Sequence, residues 1–250
     1  MRYIICSLLI TIVHKVSVAQ IVNIESQRMQ SDTTGWMGNI GTGFLFEKNA
    51  VEVLNINVNA HVECKTPKSI YLFLMNYNFL KGDGQTLNNN FFYHLRYNYK
   101  ISKLLRWELF TQLQQNNVTG IRLRFLTGTG PRFKLAGSKH FSLYAATAAM
   151  YEYEKEQTTP SIYHDDLRNS SYVSFTYKPA ENAEIISTVF YQPLFRNLND
   201  YRILNEISIK LKFVKHFSVT TSWYYLYDAR PAAGTPKLNY SISNEIEYDF

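Results

Sequence analysis

The chain alternates apolar and polar residues over most of its length, and this two-residue period is the feature that most constrains its fold. In segment 91–101 every odd position is aromatic or aliphatic, whereas the even positions include His94, Arg96 and Lys100. Segment 201–213 repeats the pattern with few exceptions. Because successive side chains of a strand point to opposite faces, this period predicts β-strands that are apolar on one face and charged on the other.

Turn-forming residues divide the pattern into about twelve predicted strands. The predicted strands are residues 37–46, 51–64, 70–80, 91–101, 105–114, 121–134, 140–154, 170–178, 184–195, 201–213, 217–227 and 238–250. Tight connections at 65–69, 101–103, 136–140, 178–183 and 214–216 alternate with mostly longer ones at 81–90, 115–120, 155–171, 196–200 and 228–237, and the tight connection at 47–50 is an exception. Short turns on one rim and longer loops on the other are typical of up-and-down barrels.

Two prolines, Pro131 and Pro193, lie inside predicted strands. Proline has no backbone N–H and therefore removes one donor from a β-ladder. We expect each proline to mark a strand end or a bulge.

The first residues have the features of a secretory signal peptide. Arg2 supplies a positive charge, residues 4–13 form an apolar core too short to span a bilayer, and small residues precede a cleavage site after Ala19. After cleavage Cys64 is the single cysteine, so neither an internal disulfide nor a cysteine-based metal site is expected. The predicted organisation is a signal peptide at 1–19, a polar N-terminal lead-in at 20–35 and a β-barrel at 36–250.

Alternation also suits a soluble β-sandwich, so the character of the two faces decides between the alternatives. The polar face carries full charges in strand after strand, and the apolar face is rich in Tyr, Trp and Phe, which make up 15% of the chain. Such rings favour the boundary between bilayer and water. Strands of about ten tilted residues cross a bilayer, and a sheet in lipid must close on itself because every backbone group needs a partner. We therefore predict an all-β, transmembrane, up-and-down antiparallel β-barrel of about 12 strands in a Gram-negative outer membrane, with outer-membrane lipid as a partner.

The C-terminal segment 238–250 is the last predicted strand, and we expect it to pair with the first to close the ring. Its terminal Phe250 resembles the signal that bacterial outer-membrane barrels present to their assembly machinery. The net charge is +6 and the isoelectric point is about 9.1, but no block of Lys and Arg supports a nucleic-acid partner.

Several stretches resemble a known family. They are NIESQRMQSDTTGW near the predicted mature start, RFLTGTGPRFKL at 124–135, MYEYEKE at 150–156, SYVSFTYKP at 171–179, STVFYQPLF at 187–195 and YLYDARPAAGTPK at 225–237. Together they resemble the Bacteroidetes branch of the domain of unknown function 481 family, whose members are often labelled salt-induced outer-membrane proteins. The resemblance implies an outer-membrane β-barrel and no established activity.

The alternation predicts that a set of charged side chains faces the lumen. The predicted basic cluster is Arg96, Arg106, Arg122, Arg124, Arg132, Arg202, Lys210 and Lys212, and its predicted acidic partners are Glu108, Glu206, Glu245 and Glu247. Rings of Lys and Arg select for anions, so one interpretation is a narrow channel or binding pore for small anionic solutes. The alternative is a structural or surface-interaction barrel whose lumen is closed by an ion-pair network.

An outer-membrane lipid hydrolase is a further alternative, but no Ser lies in a nucleophile-like context near any histidine. We therefore expect no catalytic residues and no enzymatic activity. His164 is followed by Asp165 and Asp166 in a predicted loop, a set more often solvated than metal-binding. No metal ion or cofactor is expected.

Overall fold

The computed structural model describes residues 34–117, 119–214 and 217–248. The predicted signal peptide, nearly all of the lead-in at 20–35, and Phe250 lie outside the described residues. The strands are β1 (Gly35–Lys48), β2 (Glu52–Lys65), β3 (Ser69–Gly82), β4 (Gln85–Lys100), β5 (Leu105–Asn116), β6 (Ile121–Gly137), β7 (Phe141–Glu156), β8 (Tyr163–Ala180), β9 (Ala183–Leu194), β10 (Asn197–Val214), β11 (Phe217–Asp228) and β12 (Leu238–Tyr248). The prediction of twelve strands is confirmed.

All twelve strands belong to one antiparallel sheet in which their order follows the chain from β1 to β12. Each strand has between 11 and 18 residues. Across the described residues we find no α-helix with the length and apolar content needed to cross a membrane. The up-and-down topology predicted from the sequence is confirmed.

The sheet curls into a barrel, because side chains of strands that are not neighbours meet on its concave face. Tyr172 Oη of β8 donates a hydrogen bond to Glu108 of β5 at 3.0 Å. Arg202 Nη1 of β10 lies 2.5 Å from Glu152 Oε1 of β7. These contacts are possible only if the sheet wraps around an interior.

The strands present their charged face to this interior and their apolar face to the outside. On β4, His94 and Arg96 are 1% and 6% exposed, whereas Leu95 between them is 52% exposed. The same division holds on β5, where Glu108 is buried and its neighbour Leu109 is exposed. The predicted orientation of the two faces is therefore confirmed on these strands.

The two ends of the barrel differ in their connections, because the two longest, 157–162 and 229–237, both lie on one rim. The tight-turn rim has the connections 66–68, 101–104, 138–140 and 181–182, together with the one that follows β10. The opposite rim has the connections 49–51, 83–84, 117–120, 157–162, 195–196 and 229–237. Gly35 pairs with Lys65, and Phe217 with Tyr248, so β1 begins and β12 ends at the tight-turn rim.

The loops predicted at 81–90, 155–171 and 196–200 are wrong over most of their length, because the connections are only 83–84, 157–162 and 195–196. Asp83 and Gly84, both with positive φ, form the two-residue turn between β3 and β4, as Asp-Gly hairpins do. In the second case β8 begins at Tyr163, and its Asp166 and Arg168 are buried. Polar composition predicted loops here, but these polar residues continue the strands, and several of them, such as Asn90, Asp166 and Arg168, are buried.

The prolines behave differently from each other. Pro193 precedes the last residue of β9, beside a register shift in the pairing with β10, as predicted. Pro131 lies inside β6, opposite Trp107, and no register shift adjoins it, so its prediction as a strand end or a bulge is wrong. The pairing of β6 with β7 skips Gly130 and Pro131 without changing register, which removes the need for a proline N–H.

The predicted pairing of the last strand with the first is not found. Within the described residues, ladders join only strands adjacent in the chain. Side chains on both edges are widely exposed, as at Ile40 of β1 (75%) and Tyr240 of β12 (73%). The ring therefore has one seam, between β1 and β12, that no ladder closes.

Candidate functional site

A cavity of about 640 Å³ opens at the tight-turn rim, and we call it the basic vestibule. Among the described residues that line it, eight are Lys or Arg: Lys65, Lys68, Lys100, Arg106, Arg132, Lys134, Lys139 and Lys178. The acidic lining residue among them is Glu63, which is 2% exposed in its side chain and lies 3.0 Å from Lys65 Nζ. The lining therefore has an excess of positive charge, although Arg132 and Lys178 also have acidic partners outside it, Glu108 and Glu184.

The turns bring these cations together. Lys68 lies in the β2–β3 turn and Lys139 in the β6–β7 turn, so the barrel places them on the same rim although they are far apart in the chain. Lys134 and Lys178 lie on strands near that rim. A concave surface lined by one sign of charge focuses its field and raises the local concentration of counter-ions. This geometry favours anions.

A carboxylate bridge forms the deeper end of the vestibule. Glu108 lies 3.4 Å from Arg96 on β4 and 3.6 Å from Arg132 on β6. Tyr172, on the opposite wall, donates to the same carboxylate. The guanidinium of Arg132 also stacks 3.8 Å from the centre of the Tyr144 ring. We call this group the Glu108 bridge, and it joins β4, β5, β6 and β8 across the lumen.

A second charged layer, which we call the charged girdle, crosses the barrel nearer the opposite rim. At its centre Glu152 accepts hydrogen bonds from Arg168 at 2.6 Å and Arg202 at 2.5 Å, and it forms an ion pair with Arg124 at 3.2 Å. The layer continues through Glu154, Asp166, Asp200 and Asp228, each in contact with at least one of these guanidinium groups. Buried charges need such close partners because removal from water is costly.

Apolar side chains fill the space between the two charged layers. The largest buried cluster of the interior consists of Ala146, Tyr172, Phe190, Leu204, Tyr224 and Leu226. Leu204 has no exposed surface. A separate cavity near the girdle, beside Arg124 and Arg202, has a volume of only about 30 Å³. The vestibule is therefore closed at its deep end by packed side chains.

The structure places the predicted lumen residues in three environments. Arg96, Arg124, Arg132, Arg202 and Glu108 are buried. Arg106, Glu206 and Lys210 are half-buried, and Arg122, Lys212 and Glu245 are exposed. The side chain of Glu247 lies outside what the structure describes.

The exposed members adjoin a register shift or lie on an edge strand. Ile121 is buried and the adjacent Arg122 is exposed, because the register between β6 and β7 shifts at this point. Lys212 adjoins a register shift between β10 and β11, and Glu245 lies on the edge strand β12. Arg122, Lys212 and Glu245 are therefore not part of the buried charge network.

Sequence reasoning missed much of the girdle and most of the vestibule cations. Glu152 and Glu154 alternate with tyrosines inside a predicted strand, so the two-residue period could have found them. Asp166 and Arg168 were not predicted to face the lumen, because the sequence analysis assigned them to a loop. The vestibule cations Lys68 and Lys139 lie in turns, where alternation gives no signal.

The fold and the site define the chain as an antiparallel β-barrel with a basic cavity at one end and a closed, ion-paired interior. It belongs to the family described as "Protein of unknown function, DUF481", which matches residues 50–250. No curated protein matches the chain.

Several solved structures are similar to this chain. The NanC porin is 9% identical, covering 84% of this chain and 99% of its own, with a TM-score of 0.48. A bacterial polysaccharide outer membrane secretin is 11% identical, covering 86% of each chain, with a TM-score of 0.48. The translocator domain of autotransporter NalP from Neisseria meningitidis is 9% identical, covering 88% of this chain and 90% of its own, with a TM-score of 0.45. At these identities the likeness concerns the fold, and function rests on the chain's own residues.

Proposed function

We propose that the protein is an outer-membrane barrel that binds small anionic solutes in the basic vestibule. The single observation that carries this proposal is the lining of the 640 Å³ cavity, where eight Lys or Arg of the described residues face one acid. Rings of such residues select for anions in pores. The proposal assigns the protein no catalytic step.

The apolar outer face supports insertion in a bilayer. Strands of 11 to 18 residues exceed the roughly nine to eleven that a tilted transmembrane strand needs. Short turns face the periplasm in bacterial outer-membrane barrels, so the tight-turn rim and the vestibule are assigned to the periplasmic side. Solutes then reach the vestibule from the periplasm.

Passage beyond the vestibule requires rearrangement of the Glu108 bridge. Its carboxylate neutralises part of the charge of Arg96 and Arg132, and the apolar cluster lies behind it. An anion that replaces Glu108 as the partner of these arginines opens the route and keeps both guanidinium groups paired. In this proposal Glu108 limits conduction and the vestibule sets selectivity.

The second candidate is a structural or surface-interaction barrel whose lumen stays closed. The observation in its favour is the charged girdle, in which three arginines share Glu152 across the interior. Three predictions from the sequence are compatible with both candidates. They are recognition of Phe250 by the barrel assembly machinery, a Bacteroidetes origin and a relation to salt-induced outer-membrane proteins.

Ion selectivity in planar bilayers tests the proposal. The double variant Lys68→Glu/Lys139→Glu reverses two vestibule charges in turns, where folding is least affected. Its matched control, Lys48→Glu/Lys81→Glu, makes the same charge change at the ends of β1 and β3 on the opposite rim. In a KCl gradient we expect an anion preference for the native protein, lost in the vestibule variant and kept in the control.

Calorimetric titration with inorganic phosphate separates binding from conduction. Binding without current, weakened by Lys68→Glu/Lys139→Glu, supports a binding pore with a closed lumen. Cation preference of the native protein contradicts the proposal. So does the absence of both current and phosphate binding, which would leave the structural barrel.

A further inference from the structure

A mixed cluster of one histidine and two glutamates lies at the opposite rim, outside the basic vestibule. Glu154 and Glu156 project from the same face of β7, and His164 is paired with Glu154 on the adjacent strand β8. One ligand atom from each side chain lies within 4.8 Å of the other two. Two of the three, Glu154 and Glu156, are buried. The antiparallel register therefore assembles three metal-ligating groups at one point.

The environment of Glu156 calls for a cation. Its side chain is 6% exposed, and its Oε1 lies 2.7 Å from His164 Nε2. Its Oε2 accepts a hydrogen bond from the Ala233 backbone N–H at 3.1 Å. A buried carboxylate is costly unless a positive charge compensates it. Among the described residues no Lys or Arg side chain is paired with Glu156, and a bound cation supplies the compensating charge.

The arginine contacts of Glu154 involve only one of its two carboxylate oxygens. Among the described residues, its contacts with Arg124 and with Arg202 all fall on Oε2. Those guanidinium groups hold the carboxylate in place through that one atom. The other oxygen, Oε1, is then the donor that Glu154 offers to a metal ion.

We propose that Glu154, Glu156 and His164 bind a divalent transition-metal ion of the zinc type. Imidazole nitrogen together with carboxylate oxygen suits such ions, whereas Mg²⁺ and Ca²⁺ prefer oxygen ligands alone. Three protein ligands leave a fourth position for water. The His164–Glu156 contact must lengthen slightly to admit the ion between its two atoms, and the 40% exposed imidazole has room to move.

The site lies where separate connections of the opposite rim meet. Ala233 belongs to the 229–237 connection and contacts Glu156, while Gln157 N donates to Gly120 O of the 117–120 connection at 2.7 Å. An ion bound to Glu156 and His164 therefore ties the end of β7 to the start of β8 beneath the 229–237 connection. Metal binding is expected to stabilise the folded barrel, because only that state assembles the ligands.

The test uses the full chain in detergent micelles or nanodiscs after treatment with a chelator. Zn²⁺ is titrated calorimetrically, and Co²⁺ is titrated with its visible absorption as the signature of nitrogen and oxygen ligation. We expect binding of one ion per chain and a rise in Tm on addition of Zn²⁺. His164→Gln and Glu156→Gln should each weaken Zn²⁺ binding at least tenfold.

His140→Gln is the matched control, because His140 lies in a turn at the tight-turn rim and its Nδ1 contacts a backbone carbonyl. It should bind Zn²⁺ like the native protein. Absence of Zn²⁺ binding by the native chain overturns the proposal, and so does equal binding by His164→Gln and His140→Gln. The Tm of each metal-free variant establishes that it is folded, and His164→Gln is the safer substitution because its side chain is partly exposed.

Discussion

Buried charge dominates the interior of this barrel at the scale of single residues. Glu152 is 1% exposed and lies within hydrogen-bonding distance of three arginines on three strands. Its carboxylate is thus the common partner of Arg124, Arg168 and Arg202. Breaking a buried pair by removing one partner is far more costly than breaking an exposed one, because the remaining charge stays out of water.

Glu152→Gln should therefore destabilise the barrel strongly. We expect a loss on the order of 3 kcal/mol in the free energy of unfolding, because three guanidinium groups lose their shared counter-charge. Urea unfolding followed by tryptophan fluorescence measures this loss. The control Glu181→Gln changes an exposed turn residue and should stay within about 0.5 kcal/mol of the native protein. Equal losses in the two variants would contradict the central role of Glu152.

Glu108→Gln should strengthen the interaction with anions. The substitution removes one negative charge from between Arg96 and Arg132 and leaves the side chain similar in size. We expect tighter phosphate binding by calorimetry and a larger anion current in bilayers than for Glu181→Gln. Weaker phosphate binding together with an unchanged current would show that Glu108 does not oppose anions.

Alternation predicted burial correctly for several residues inside paired strands, such as Glu108 and Arg202, but not for Glu245 on the edge strand β12. It failed at Arg122 because a register shift exchanges its place with Ile121. It gave no information on Lys68, because a turn residue reaches the vestibule only through the closure of the sheet. The sequence thus predicts which face a strand residue occupies, but not which turns converge on one cavity.

At the scale of elements, the pairing of β6 with β7 depends on a glycine. A Cβ added to Gly130 would collide with the backbone carbonyl oxygen of Thr147 on β7. A Cβ added to Gly43 on β1 would have Asn57 Cβ as its nearest neighbour, at an ordinary 3.8 Å. The two glycines therefore differ in how closely the adjacent strand approaches.

Gly130→Ala should destabilise the barrel, because the backbone of β7 must move away to admit the methyl group. Overpacking of this kind typically costs about 1–3 kcal/mol. Gly43→Ala is the control and should have little effect on the urea midpoint. If Gly130→Ala unfolds at the same urea concentration as Gly43→Ala, the close approach of β6 and β7 is not required for stability.

The number and order of the strands could be predicted because the two-residue period persists through nearly all of them. The ends of strands were less predictable where polar residues continue a ladder. The start of β8 is the main example. Asp166 and Arg168 are charged like loop residues, but their backbones pair with β7 and their side chains are buried in the interior. A strand that buries charge inside a barrel cannot be distinguished from a loop by composition alone.

At the scale of the whole molecule, insertion into a bilayer should change the seam between β1 and β12. In hydrocarbon, each unsatisfied backbone group costs several kcal/mol, so an open edge is not tolerated. We expect the two strands to pair on insertion. Hydrogen exchange in nanodiscs should then protect the amides of β1 and β12 as well as those of β6. Rapid exchange confined to β1 and β12 would show that the seam stays open.

The central claim is that the apolar face of the sheet contacts lipid while its charged face is enclosed. The chain contains three tryptophans, and Trp36, Trp107 and Trp223 are 79%, 45% and 38% exposed on the outer face. Fluorescence quenching in vesicles of brominated phospholipid tests the claim most directly, with aqueous iodide as the comparison. Strong quenching by the brominated lipid and weak quenching by iodide is the predicted result. Strong quenching by iodide with none by the brominated lipid would contradict it.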